Sequence, residues 1–242
     1  MLDQLIESRY LWWLWDGFLV TLAISFLTIV FSTILGFLLF VAQQSRIKLI
    51  KGIVIGYNAI FRYSPLLPQL FFWYFGIGNL LPNEFKIWLF DEPQIQLWFF
   101  TLKMPSFEFI IGFIGLTCYS SAFIAEEFRA GMAGVRVGQQ QAALALGLTW
   151  WESMRFIILP QSFGIAFPPL IGQYMNIVKN SSLTMAIGVL ELSYVSRQVE
   201  TESLKTFQDF AIATFLYILA IVIIGTLGNI YQAKHIQIRN KV

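Results

Sequence analysis

The stretch "GFLVTLAISFLTIVFSTILGFLLFVAQQS", residues 17–45, contains no charged side chain. About 20 apolar residues are enough to cross a bilayer as a helix, so this run can span one. Its uniform oiliness argues against a helix half-buried in a soluble core, which keeps a polar face. The rest of the chain agrees. Hydrophobic residues make up 57% of the 242 and charged residues 12%, against roughly 25% charged in an average soluble domain. A net charge of +2 leaves no electrostatic footprint for nucleic acid, and no nucleic-acid partner is expected. A lone Cys118 excludes a disulfide framework. With the single His235 it supplies too few soft ligands for zinc or haem, so neither metal nor cofactor is expected.

The same length criterion gives five spans: 17–45, 53–78, 109–125, 163–190 and 210–233. The second is interrupted by Arg62, Pro65 and Pro68, and the fourth contains Lys179. "YLWWLWDG", residues 10–17, reads as an aromatic anchor at the water boundary. The expected fold is an all-α membrane protein of about five transmembrane helices, a single domain over 1–242. Nine of the sixteen Lys and Arg fall between spans one and two, between three and four, or after five: Arg46, Lys48, Lys51, Arg129, Arg136, Arg155, Lys234, Arg239 and Lys241. Arg9, Lys86, Lys103, Arg197 and Lys205 fall on the other side. The positive-inside rule then predicts an N-terminus outside and a C-terminus in the cytoplasm.

This orientation puts residues 136–161 in the cytoplasm. "QQQAALAL", residues 139–146, is rich in helix formers, and Gly147 suits a left-handed C-terminal cap. Thr149 and Glu152 have the Thr-x-x-Glu spacing of a capping box, which starts a second helix that Pro160 is expected to end. Such a helical knob is either a connector or a docking element, and its pattern alone does not choose.

The spacing of "QQQAALALGL" before "IILP" (139–148 and 157–160) resembles the EAA signature of bacterial ATP-binding-cassette import permeases. The flanks "FRAGMAGVRVGQQQAALALGL" (128–148), "LPQSFGIAFPPL" (159–170), "VKNSSLTMAIGVLEL" (178–192) and "FRYSPLLPQLFFWYFGI" (61–77) look like the polar amino acid branch of that family. The resemblance covers about 17–233. Within the branch it is nearest the glutamate/aspartate permeases, which carry an outward insertion like the one at 79–106. It implies a permease domain in the bacterial cytoplasmic (inner) membrane, importing polar amino acids, glutamate or aspartate first among them. It implies an ABC ATPase subunit dimer docked on the coupling loop through Gln141, Ala142, Ala143, Gly147, Leu159 and Pro160. It also implies a periplasmic amino acid-binding protein and a second permease subunit, either a related chain or a second copy. The family's first signature residue is usually Glu; here it is Gln141, so an ion pair with the ATPase is lost and an amide hydrogen bond remains.

Two cations sit inside spans, where ionisable groups normally face protein or a watery path. Arg62 either snorkels toward an interface or faces the path. Lys179, with Asn180, Ser181 and Ser182 beside it, either lines a substrate path or packs helices through hydrogen bonds. Glu126 is expected to pair with Arg129 at i+3. The sequence has no Gly-x-x-x-x-Gly-Lys-Ser/Thr phosphate loop, so ATP hydrolysis must come from another chain and this one is not expected to be an enzyme. The competing function, an ion-coupled carrier or intramembrane enzyme working without an ATPase, would call for internal repeats or a buried catalytic pair.

Overall fold

A computed structural model describes residues 7–82, 84, 88, 94–97, 100–103 and 105–239. In chain order the helices are α1 (Ser8–Gln43), α2 (Lys48–Tyr63), α3 (Leu66–Phe71), α4 (Phe107–Ala133), α5 (Val137–Ala145), α6 (Trp150–Ser153), α7 (Leu159–Ser181), α8 (Leu192–Ser203) and α9 (Thr206–Arg239). Strands β1 (Gln94–Leu97) and β2 (Phe100–Lys103) pair antiparallel, Gln94 opposite Lys103 and Leu97 opposite Phe100. The fold is helical as expected, and this short hairpin is an addition to it. Alternating "QIQL" and "FTLK" is a period-2 pattern inside the outward insertion, which the search for long apolar helices passed over. Much of the rest of that insertion, Lys86 included, lies outside the described residues, as does Lys241.

Four stretches are long and apolar enough to cross a membrane: Ser8–Gln43, Phe107–Ala133, Trp150–Ile187 and Thr206–Lys234. These answer to four of the five expected spans. The second, 53–78, is not one helix but two pieces, α2 and α3. Pro65 is extended (φ −64°, ψ 144°); it has no N–H to give and disfavours helical backbone at the residue before it. The carbonyl freed at the break is not left bare, since Gln69 Nε2 donates to Ser64 O at 3.1 Å and to Ser64 Oγ at 2.7 Å. Pro68 falls in the first turn of α3, where no intrahelical donor is needed. A π-helical stretch, Phe72–Ile77, continues the second piece.

The helix of the third span continues past the expected end at 125, and the carboxylates there are partnered. Glu126 accepts from Arg129, and Glu127 accepts from Gln173 Nε2 at 2.9 Å. Likewise α1 begins at Ser8, so the aromatic anchor is helical, with Tyr10 and Leu14 buried while Trp12 is exposed.

The chain divides into two compact units. One comprises Met1–Ile29, Tyr63–Tyr119 and Ile177–Ala220. Its core gathers Ile24, Leu66, Leu70, Phe107, Ile111, Leu116, Ile187 and Val189. The other comprises Val30–Arg62, Ser120–Asn176 and Ile221–Val242. Its centre is an aromatic cluster in which Phe128 meets Phe37, Phe40 and Phe163 at centroid distances of 5.5, 6.0 and 5.4 Å. There α4 and α7 touch at Gly131, where a Cβ would stand 2.6 Å from Ser162 O and 2.7 Å from Ala166 Cβ. Only glycine allows that approach.

Candidate functional site

In α5, six of the nine residues are Gln or Ala, which lose little or no side-chain freedom in a helix. The helix ends in a Schellman motif. Leu148 N donates to Ala143 O at 3.2 Å, and Gly147 N donates to Leu144 O at 3.0 Å. Gly147 adopts the φ of +85° that the motif requires. One residue on, Thr149 opens α6 with the expected capping box. Glu152 N donates to Thr149 Oγ1 at 3.3 Å, and Thr149 N donates back to Glu152 Oε2 at 2.7 Å.

Pro160 does not end this helix. Residues Met154–Ile158 widen into a π-helical turn in which Leu159 N reaches Met154 O, and α7 begins at Leu159 with Pro160 as its second residue. The wider turn takes up the donor that proline lacks, so the helix continues. Gln161 Nε2 lies 3.4 Å from Gln139 Oε1 and ties the start of α7 back to α5.

The six residues expected to couple to an ATPase are divided by this geometry. Gln141, Ala142 and Gly147 are exposed and Ala143 is buried, while Leu159 and Pro160 belong to the first turn of α7. Much of the exposed surface around them is apolar: Val137, Leu144, Leu146, Trp150, Trp151 and Phe156 are all exposed. Between Val137 and Trp151 there is no charged residue, and the first one after it, Glu152, is held in the capping box.

At the far end of α7, Lys179 is exposed and Asn180 half-buried. The serines beside them are turned to the backbone. Ser181 Oγ, fully buried, donates to Val178 O at 2.8 Å, Ser182 Oγ to Lys179 O at 2.7 Å, and Thr184 Oγ1 to Ser181 O at 2.7 Å. These bonds accompany the change from α-helix to the tighter helix Ser182–Ile187. Arg62, in the other unit, lies 3.5 Å from Glu126 Oε2 and 5.7 Å from the Phe123 ring centroid. Glu126 therefore serves two arginines, of which the sequence reading found only Arg129. The signal available was that an arginine within a span requires a counter-ion.

A second carboxylate was also missed. Glu191 is fully buried and caps α8, accepting from Ser193 N at 3.0 Å, Tyr194 N at 2.9 Å, Tyr217 OH at 2.6 Å and Thr21 Oγ1 at 3.4 Å. Burial pushes its carboxyl above the usual glutamate range, and those four bonds pull it partly back. An acidic residue just before "LSYV" is a readable cap signal; the partners from α1 and α9 are not readable.

Comparison with known proteins adds the lineage. The chain is 29% identical to the glutamate/aspartate import permease protein GltJ of Escherichia coli strain K12, over 88% of this chain and 83% of that one. It is 34% identical to a probable glutamine ABC transporter permease protein, GlnM, of Bacillus subtilis strain 168, over 92% of each. Among solved structures it resembles an amino acid ABC transporter crystallised with histidines, with a TM-score of 0.78 and 26% identity over 93% of this chain and 95% of that one. The inward-facing MetNI methionine ABC transporter shares the fold, with a TM-score of 0.68 at 18% identity over 95% and 99%. Residues 39–237 match the binding-protein-dependent transport system inner membrane component family, and a match of that extent shows that the chain belongs to it.

Proposed function

We propose that this chain is the membrane-spanning subunit of an ATP-driven importer of polar amino acids, glutamate or aspartate in the first instance. Substrate comes from a periplasmic binding protein, and the knob at 136–161 docks on a separate ATPase dimer. The observation that carries the reading is the knob itself. A Schellman motif and a capping box fix two short helices about Gly147, with Gln141 and a set of apolar side chains presented outward. The names of the relatives support amino acids as the substrate class. Residues 1–242 act as one permease domain, because α1, α4, α7 and α9 each contribute to both compact units. A second permease subunit completes the pathway.

Lys179 and Asn180 attract substrate carboxylate, while the hydroxyls of Ser181 and Ser182 shape the helix end. For Arg62, the Glu126 contact supports a part in holding α2 to α4. The knob's neutral tip supports a weaker ionic contribution to docking than in relatives with Glu at the position of Gln141.

The test is uptake into vesicles reconstituted with both permease subunits, the ATPase and the binding protein. ATP-dependent entry of glutamate, competed by aspartate and not by arginine, is the expected result. Uptake that needs an ion gradient and no ATP would discard the reading in favour of an ion-coupled carrier. In the same vesicles, Lys179→Met should lower uptake at unchanged ATPase assembly; unaltered kinetics would remove Lys179 from the path.

A further inference from the structure

The short helix α8 is held at both ends. At its start stands the Glu191 cap; Leu192 N also donates to Thr21 Oγ1 at 3.1 Å. At its end Ser203 Oγ donates to Asp209 Oδ2 at 2.6 Å and Thr206 Oγ1 to Glu200 Oε1 at 3.1 Å. The inward face, Leu192, Val195, Ser196 and Val199, is buried. The outward face is therefore a fixed surface, and with Met185 and Ala186 its exposed residues Tyr194, Arg197, Gln198, Thr201 and Glu202 line a solvent-open groove of about 540 Å³.

The chemistry of that wall is specific. On a helix, residues four apart stack in one column, so Arg197 lies over Thr201 and Gln198 over Glu202, and all four line the same groove. A guanidinium offers paired donors that match a carboxylate, and a carboxylate accepts from an ammonium. One of each lines the groove, with the Gln198 amide a further polar group there and Tyr194 and Met185 supplying apolar contact. Thr201 Oγ1 donates to Arg197 O at 2.9 Å and keeps only its acceptor capacity for a ligand. Arg9 also acts electrostatically on Glu202, though it is itself paired with Glu7 at 2.9 Å. The groove is open to solvent, so a ligand there would keep part of its surface in water and be held by the charged groups rather than by enclosure.

We propose that this groove is a vestibule for the zwitterionic end of a free α-amino acid, with Arg197 on the α-carboxylate and Glu202 on the α-ammonium. It rests on the importer reading and adds to it a second, outer amino acid site, separate from Lys179 and recognising the part common to all α-amino acids rather than the side chain.

The experiment is equilibrium binding of labelled L-glutamate and L-glutamine to the assembled permease–ATPase complex in detergent, in wild-type and Lys179→Met backgrounds. The α-amide of glutamate and N-acetylglutamate are run as competitors, and size-exclusion chromatography shows that each variant is assembled. Arg197→Gln should weaken binding of both amino acids about tenfold or more and leave the α-amide unaffected. Glu202→Gln should do the same with N-acetylglutamate as the insensitive ligand. Arg197→Lys, which keeps the charge, should lose less than Arg197→Gln. Wild-type affinity in both neutral variants would overturn the site. So would a loss confined to stimulation of ATP hydrolysis by loaded binding protein, which would make this face a protein-docking surface. Uptake by the wild-type vesicles, measured in parallel, separates the two ideas: amino acid import with unaltered binding in the variants rejects the vestibule alone, whereas absence of ATP-driven import rejects the function on which it rests.

Discussion

Arg62 illustrates how a single charge inside an oily helix is accommodated. Its side chain and that of Glu126 are 30% and 24% exposed, too shielded for the pair to be worth as little as a surface salt bridge. Removing Glu126 strands Arg62, which for such a half-buried pair should cost about 2 kcal/mol, whereas removing Arg62 leaves Glu126 with Arg129 and should cost less. Glu126→Gln and Arg62→Met should each lower the melting temperature in detergent, and the double variant should lose clearly less than the sum. Additive losses would mean that the two side chains do not act as a pair. Glu191 behaves differently because its folded pKa is raised. Its contribution to stability is fully present below roughly pH 4.3, the ordinary glutamate value, and is lost as pH rises through the folded one. The stability of the wild type relative to Glu191→Gln should therefore be greatest at acid pH and shrink toward neutrality. A difference that stays constant from about pH 5 to pH 8 would contradict the raised value.

Among the elements, the helical knob was the most legible from sequence. Gly147, Thr149 and Glu152 act on backbone groups within a few residues of themselves, so spacing alone specifies their geometry. What spacing could not show was the fate of Pro160, because the π-helical turn that absorbs it depends on how Met154–Ile158 relax together. The split second span was half legible. Pro65 and Pro68 announced trouble, yet the rescue of the broken end by Gln69 and Ser64 is a side-chain geometry that hydropathy does not contain. Two substitutions test the knob as an element. Gly147→Ala forces an L side chain into φ +85° and should cost about 1 kcal/mol; Thr149→Ala removes the cap and should cost a similar amount, about 1 kcal/mol. Both should loosen ATPase docking in a pull-down while leaving the permease in the membrane. Unchanged docking would mean that the knob's internal order does not matter to coupling.

At the scale of the whole molecule the reading depends on which way the chain faces. Orientation was inferred from nine Lys and Arg on one side against five on the other, and this sum over loops needs no knowledge of packing. The fold supplies two well-exposed reporters for it. Leu146, 82% exposed, sits at the turn of the knob, and Leu204, 84% exposed, sits between α8 and α9. They are separated by one stretch long and apolar enough to cross the membrane, Trp150–Ile187, and a single crossing there is expected to put them on opposite sides. With Cys118 replaced by serine, Leu204→Cys should react with a membrane-impermeant maleimide in cells whose outer membrane alone has been opened, and Leu146→Cys only after the inner membrane is breached. The reverse pattern would invert the protein. It would place the knob where no ATPase can reach it and the Arg197–Glu202 groove on the ATP side, so both the proposed coupling and the vestibule would fall together.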